Sequence, residues 1–585
     1  MGPTYWLRSI RSRNFAANLE TLCKNEVFKG ISGSFRTTYL SFNAIRRMKS
    51  LKRMTGILSL MMLVNLTFQS QAPADGSNLL FYGLAAVALL IFFFIVISVA
   101  DNFMVIESNE SGINGEKANM GLYPKLSEIF SKKAPAYLEG EHTYKLSKGY
   151  DIPLEGKASN ETDSATSATR FAVMPPDFIG LMPIPKVVVE VGDSVKAGDV
   201  IYFDKKKDRI KFVAPVSGEI IEFNRGLQRS VASIVILADK DQVSRSYDVP
   251  SANASREDLV EFLLESGAWA GIRQRPYNII ADPDVTPRDI FISTFNTAPL
   301  AADSKLQIAG REDVFQAGID VLRRLTPGLV YLGLDGREQG KTAFSAVNGA
   351  EKRYFIGAHP SGNVGVQMHH IHPVGVGENT VWTLDVNAVL LLGELFKNGR
   401  YNTERVVALA GEPLAAPRHV RTYAGANLGE LLKGNELDNV RIISGDVLTG
   451  NAVGAEGYLG HFDDQVTVIA EGNEAELFGW LLPLKPRASI SATIPTFSDF
   501  AATTNTHGEQ RAFVVNNDYE QVMPMDVYTQ QLMKSIMVQD FESMEGLGIY
   551  ELVEEDVALA EFACVSKQPL QNILRGGLNT MLEQG

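Results

Sequence analysis

Residues 187–220 restrict the fold more than any other part of the chain. The stretch VVVEVGDSVKAGDVIYF runs from Val187 to Phe203, and after a lysine-rich turn IKFVAPVSGEI ends it at Ile220. Val189, Val191, Val195, Ile201 and Phe203 mark short strands, with Gly192-Asp193 and Gly198-Asp199 between them. Glycine tolerates a left-handed backbone and aspartate bonds nearby backbone amides, so each Gly-Asp pair predicts a tight turn. Ala214-Pro215-Val216-Ser217-Gly218 predicts another turn before the final strand. Two similar halves of this kind predict a small flattened barrel.

That arrangement resembles the biotinyl/lipoyl-carrier module, which carries or passes on a redox or acyl group. A swinging arm requires one lysine at the tip of the hairpin between the halves. Lys205, Lys206 and Lys207 occupy that turn, with Lys207 at about the carrier distance from Ala214-Pro215. Carrier lysines are flanked by methionines, or by Asp and Ala, whereas Lys207 stands between Lys206 and Asp208. The flanks point to a solvated, unmodified tip, and a biotin or lipoyl carrier protein is the alternative.

A length of 585 residues suits about three or four domains. The net charge of −13 argues against nucleic acid as a partner, because no basic surface is offered to phosphates. Cys23 and Cys564 alone exclude a disulfide framework, a four-thiolate iron–sulfur cluster and a cysteine-rich zinc site.

The first 130 residues differ from the rest. Residues 79–100, LLFYGLAAVALLIFFFIVISVA, carry no charge and are long enough to span a bilayer as a helix. A shorter apolar run at 54–68 follows Arg46, Arg47, Lys49, Lys52 and Arg53 and looks like a signal-peptide core or a first membrane helix. The basic cluster stays cytoplasmic, which returns the chain to the inside after residue 100 and predicts a cytoplasmic body tethered to the inner membrane; residues 79–100 as a lone N-in anchor, with the body outside, is the alternative. Residues 1–47 show no periodicity, and Met48 is a plausible alternative start. Ser159 to Ser167, SNETDSATS, reads as a flexible loop.

Beyond the barrel, Leu259, Phe262 and Leu263 fall at helical spacing after Ser255, a credible N-cap. Strands are predicted at Asp289–Thr294, Leu329–Leu334 and Arg405–Ala410, with helices at Glu312–Leu325 and within Val381–Asn398. That alternation predicts a parallel α/β domain. Val440–Gly445 and Asp464–Ile469 suggest a β-grasp unit, and helices are predicted near Tyr528–Val538, Glu554–Ala563 and Leu570–Leu582. No G-x-G-x-x-G follows a strand, and Gly336 to Thr342 is one residue short of a phosphate-binding loop. His369, His370 and His372 lie among Gly362, Gly365, Gly375 and Gly377, so they are read as a loop lining a cleft or a subunit contact, without a metal. With no G-x-S-x-G and no paired carboxylates, no catalytic residue is assigned, and the chain reads as one component of a larger machine that supplies a binding surface, with a non-catalytic scaffold subunit as an alternative.

From about Lys148 onward the landmarks form a series. They include Gly149-Tyr150-Asp151-Ile152-Pro153-Leu154, Val191-Gly192-Asp193, Phe212-Val213-Ala214-Pro215, Asn224-Arg225-Gly226 and Gly267-Ala268-Trp269. Arg273-Gln274-Arg275-Pro276, Ala298-Pro299-Leu300-Ala301, His359-Pro360, Tyr458-Leu459-Gly460, Leu477-Phe478-Gly479-Trp480 and Tyr519-Glu520 continue it. In this order the chain resembles the A component of the Na+-translocating NADH:quinone reductase, a translocase related to the NADH-binding subunits of complex I and the Rnf complex. The resemblance implies an enzyme complex with NAD, FAD, FMN, riboflavin and a 2Fe-2S centre elsewhere, none covalently bound here. It implies the other components of the sodium pump, B to F, as partners, the membrane-embedded B component above all, and quinone as substrate. The relatives end in a cluster-binding segment, whereas the tail here keeps only Cys564.

By position in the resemblance, MPPDFIGL (Met174 to Leu181) and RQRPY (Arg273 to Tyr277) are the quinone-contacting segments. The named candidates are Met174, Asp177, Phe178, Leu181, Arg273, Arg275 and Tyr277. Phe178 and Leu181 suit an apolar ring or tail, and either arginine suits a quinone oxygen. A structural role for the arginines, capping a helix or pairing with Asp282 or Asp284, is the competing reading.

The whole is predicted as an α/β multidomain protein. Its parts are an N-terminal extension over 1–130 with the transmembrane helix, a biotinyl/lipoyl-like barrel over 145–250, a Rossmann-like domain over 251–420, a β-grasp-like domain over 421–485 and a helical region over 486–585. The membrane extension is atypical of the resembled family.

Overall fold

The structure is a computed structural model and describes residues 85–93, 96, 135–163, 167–181, 184–375, 377, 380–472, 474, 490 and 499–584. The chain divides into two compact units, Met1–Lys132 and Lys133–Gly585. In the first, residues 85–93 are helical and Val87, Leu89, Leu90, Ile91, Phe92 and Phe93 are exposed. Among the described residues no helix is long and apolar enough to cross a membrane. The expected transmembrane helix is therefore not supported as drawn: the rest of 79–100, apart from Val96, lies outside the described residues, as do 54–68 and 1–47.

The second unit opens with strands that serve other domains. Thr143–Lys145 pairs in parallel with Glu351–Ile356, and Ser159–Asp163 pairs in parallel with Arg418–Tyr423. The polar run beginning at Ser159 was expected as a flexible loop, and its first five residues are instead an edge strand. A strand wet on both faces needs no apolar alternation, so its sequence carried no strand signal.

The barrel has two antiparallel sheets. One orders Arg170–Val173, Val231–Ala238, Gly218–Arg225 and Ser194–Val195, and the other Lys186–Val187, Val200–Phe203 and Lys211–Val213. The Gly-Asp turns are built alike. Asp193 accepts the Glu190 backbone N–H at 2.8 Å, and Asp199 accepts that of Lys196 at 2.7 Å. Gly192 and Gly198 both take the left-handed backbone, at φ 97° and 94°. Lys207 at the hairpin tip pairs with Asp282 at 2.8 Å, and Arg209 with Asp284 at 2.8 Å, so the tip is fastened to the next domain.

That domain holds a seven-stranded sheet. Its order is Thr143–Lys145, Glu351–Ile356, Val330–Asp335, Ile290–Ser293, Val381–Leu384, Arg273–Arg275 and Ile279–Ile280. The first five run parallel, and the last two are joined on by antiparallel pairings. Ser255 caps the helix Arg256–Glu265 through a reciprocal bond with Asp258. Helices Glu312–Leu325 and Val386–Asn398 lie against each other, because a Cβ on Gly318 would meet the Val389 carbonyl oxygen at 2.3 Å and one on Gly393 the Val314 oxygen at 1.9 Å.

A six-stranded sheet follows, ordered Asn451–Ala452, Val440–Ser444, Gln465–Ala470, Glu404–Ala410, Arg418–Tyr423 and Ser159–Asp163. Glu404–Ala410 thus belongs with the β-grasp strands although it precedes residue 421. Helices Asp518–Val522, Thr529–Met537, Phe541–Gly546, Glu554–Ala563 and Leu570–Gln584 share a core with Leu532, Val557, Leu574 and Leu578.

Candidate functional site

Strand Arg170–Val173 ends at Met174, where Pro175 and Pro176 lack the amides a ladder needs and turn the chain through a single 3-10 turn, Pro175–Asp177. The turn drops Phe178 into a junction of three domains. Its ring centroid lies 4.6 Å from Phe212 of the barrel, 4.8 Å from His461 and 5.8 Å from Phe462 of the β-grasp unit. Leu181 packs at the edge of the same core. Arg273, on the α/β sheet, sets its guanidinium 4.8 Å over the Phe462 ring, and its Nε has no hydrogen-bond partner. Met174, Asp177, Phe178, Phe212, Tyr401 and His461 line a cavity of about 20 Å³, room for one water.

Asp177 ties the turn to the β-grasp loop by accepting the His461 N–H at 2.7 Å. Burial pushes its carboxyl up to about 7, with Asp463 adding to the rise and the hydrogen bond and Arg405 opposing it. Burial likewise pushes His461 down to about 3, helped by the positive charges of Arg405 and Arg273. Arg405, 5% exposed, donates to the carbonyls of His461 at 2.7 Å and Asp463 at 3.2 Å, which fixes the loop. Asp464 is pushed up to about 7 by burial and by the neighbouring carboxylates Asp385 and Asp463.

The other two candidates stand elsewhere. Arg275 is 1% exposed and bonds Glu555 at 2.9 Å and Asp556 at 3.4 Å, at the first turn of the helix Glu554–Ala563. The tie lies with that helix and not with Asp282 or Asp284. Tyr277 sets its ring edge-on to Tyr550 at 5.7 Å, and its carbonyl accepts Arg575 at 2.8 Å. Met174, Asp177, Phe178, Leu181 and Arg273 are thus gathered at one junction, while Arg275 and Tyr277 join the C-terminal helices. His461, Phe462 and Arg405 complete the junction and were not singled out from sequence. The signal available was a histidine and an aromatic set against two adjacent acids, Asp463-Asp464, in one short loop.

The remaining motifs resolve separately. The histidine segment, expected as a loop, is a helix over Val364–Ile371. Its Gly365 marks close packing, since a Cβ there would lie 2.4 Å from Asp556 Oδ2. His369 faces Glu551 at 2.7 Å, His370 the Pro524 carbonyl at 2.9 Å and His372 Asp289 at 3.0 Å. Among the described residues no group of His, Cys, Asp or Glu is arranged to hold a metal. The Gly336–Thr342 loop runs into a 3-10 turn, Ala343–Ala346, which offers no long helix N-terminus to phosphate.

Three family profiles match in chain order. Residues 144–239 match the NqrA N-terminal barrel-sandwich hybrid domain, 254–401 the NqrA second alpha/beta domain and 406–455 the NQRA C-terminal domain. The NqrA component of the Na(+)-translocating NADH-quinone reductase from Vibrio atlanticus is 38% identical over 449 residues, 75% of this chain and 99% of that protein. The chain belongs to the NqrA family of the Na(+)-translocating NADH-quinone reductase. Further NqrA relatives from Psychromonas ingrahamii and Shewanella frigidimarina are each 37% identical, again over 75% of this chain and 99% of the relative. Among solved structures, an air-oxidized NAD+-reducing [NiFe]-hydrogenase chain aligns at TM-score 0.27 and 10% identity, over 51% of this chain and 55% of its own, too low to carry an argument. The protein is thus an NqrA component of the sodium-translocating reductase, a member of an oxidoreductase complex.

Proposed function

We propose that this NqrA chain contributes to the quinone site of the complex through the junction of Asp177, Phe178 and Arg273 with His461 and Phe462. The observation that supports it most is this convergence: an aromatic cluster, a guanidinium with a free donor and a neutralisable carboxyl meet where three domains join. Aromatic faces suit a quinone ring, and Arg273 suits a carbonyl oxygen. The cavity has room for one water, so a ring enters by displacing Phe178. Arg275 and Tyr277 support the site by fixing the C-terminal helices to the strand that carries Arg273.

The flavins, the 2Fe-2S centre and the Na+ path belong to the partner components B to F in this reading. The body lies on the cytoplasmic side of the inner membrane, against the membrane-embedded B component, and residues 79–100 anchor the chain in the bilayer.

A photoreactive quinone added to the purified complex tests the assignment. Label within Met174–Leu181 or at Arg273 is expected. Label only on other components leaves this chain a scaffold. The carrier alternative is disfavoured by the Lys207–Asp282 ion pair, which holds the would-be arm against the neighbouring domain.

A further inference from the structure

Beside the junction, one buried hydroxyl has no partner. Tyr202, on strand Val200–Phe203, is 0% exposed, and its hydroxyl makes no hydrogen bond. Its ring stacks on Phe212 at 4.7 Å, and Phe212 in turn meets Phe178 and lines the junction cavity. The charge of Asp177 acts on the Tyr202 hydroxyl. Only one carboxyl oxygen of Asp177 is bonded, to the His461 N–H, and no hydrogen bond to the other is found among the described residues. Asp177 lines a cavity of about 20 Å³, enough for one water, and the buried Tyr202 hydroxyl, behind Phe212 on that lining, is a group that such a water would satisfy.

We propose that Asp177 is the proton donor to the quinone reduced at this junction, and that Tyr202 is a positioning residue acting on it through one buried water. The proposal rests on the quinone reading above. The complex delivers two electrons from NADH to the quinone. The Asp177 O–H bond breaks as a new O–H bond forms at one quinone oxygen, and solvent supplies the second proton at the other oxygen. Asp177 is only partly buried, so the carboxylate regains its proton from solvent. Burial holds the carboxyl up to about 7, which suits a group that both gives and regains a proton near neutrality. The charged and titratable groups around it are His461, Asp463 and Arg405 from the β-grasp unit, Arg273 from the α/β sheet, Tyr202 from the barrel and Tyr401.

The test uses the intact complex and NADH-driven quinone reduction from about pH 5 to about pH 9, with photoreactive quinone labelling in parallel. Asp177→Asn is expected to lower kcat by at least about tenfold and to remove the alkaline limb, with the junction still labelled. Asp177→Glu restores turnover and the limb. Tyr202→Phe takes a donor from the carboxylate, so the carboxyl holds its proton longer and the limb moves to higher pH. An Asp177→Asn complex with wild-type turnover and limb, still labelled at the junction, overturns the proposal and leaves the quinone reading standing. Absence of junction label in the wild type overturns the quinone reading itself. Should Asp177→Asn fail to assemble, Tyr202→Phe decides, and an unmoved limb overturns the proposal.

Discussion

Arg275 and Asp556 are buried together, one at the end of the strand Arg273–Arg275 and one on a C-terminal helix. Removing one partner of such a pair strands the other in a poor dielectric, which costs about 3–5 kcal/mol. Arg275→Ala is therefore expected to lower unfolding free energy by about that amount in denaturant titration, without moving the quinone label from the junction. Asp464 gives a pH-dependent counterpart. Its folded value, about 7, lies above the ordinary 3.8, so the folded protein keeps a proton that the unfolded chain releases. Stability from this group is full at low pH and lost as pH rises from about 4 to about 7. His461 works in the opposite sense at lower pH, but equally in both proteins compared. Asp464→Asn is expected to melt higher relative to the wild type at pH 8 than at pH 5, and an equal difference at both values refutes the assignment. At this scale the sequence was least informative. Arg275 and Arg273 are two residues apart, yet one meets Asp556 and the other Phe462, partners close to 200 residues or more away.

Helices Glu312–Leu325 and Val386–Asn398 touch through reciprocal glycines, and nothing larger fits. Gly318→Ala and Gly393→Ala are each expected to cost about 1–3 kcal/mol by forcing the helices apart, read as a fall in melting temperature. Replacing Gly340, which has open space around it, serves as the control. The amphipathic repeat of Glu312–Leu325 and the apolar strand at Leu329–Leu334 were legible because each signal is local. The glycines read as helix weakeners, since their reason lies on another helix. The histidine helix was missed for the same cause: Gly365 signals a loop by propensity and is kept by the nearness of Asp556. At the hairpin, Lys207→Ala removes a half-exposed ion pair and is expected to change stability by no more than about 1 kcal/mol, while intact-protein mass shows Lys207 unmodified.

Across the molecule, the barrel and the α/β sheet were legible in order, because turn dipeptides and apolar runs punctuate each of them. Their meeting place was not, because Asp177, Arg273 and the pair Arg405 and His461 come from three separate parts of the chain, and no window of sequence holds two of them. Phe462→Ala removes the ring beneath Arg273 and against Phe178. It is expected to cost about 1–3 kcal/mol and to raise the KM for quinone more than it lowers kcat.

The strands Thr143–Lys145 and Ser159–Asp163 pair with Glu351–Ile356 and Arg418–Tyr423, each some 200 residues or more downstream. During synthesis these two pieces leave the ribosome well before their partners and wait for them. Their loops are long, so their closure is entropically slow compared with the local hairpins of the barrel. The barrel between them and their partners can therefore form early, while the first residues of the body stay free to be handled by a chaperone until the late strands arrive. The lacing also sets where force is borne. A pull from the N-terminal side loads buried Leu138 and the Tyr137–Glu338 bond first, and then the three-residue pairing at Thr143–Lys145, before it reaches either sheet's interior.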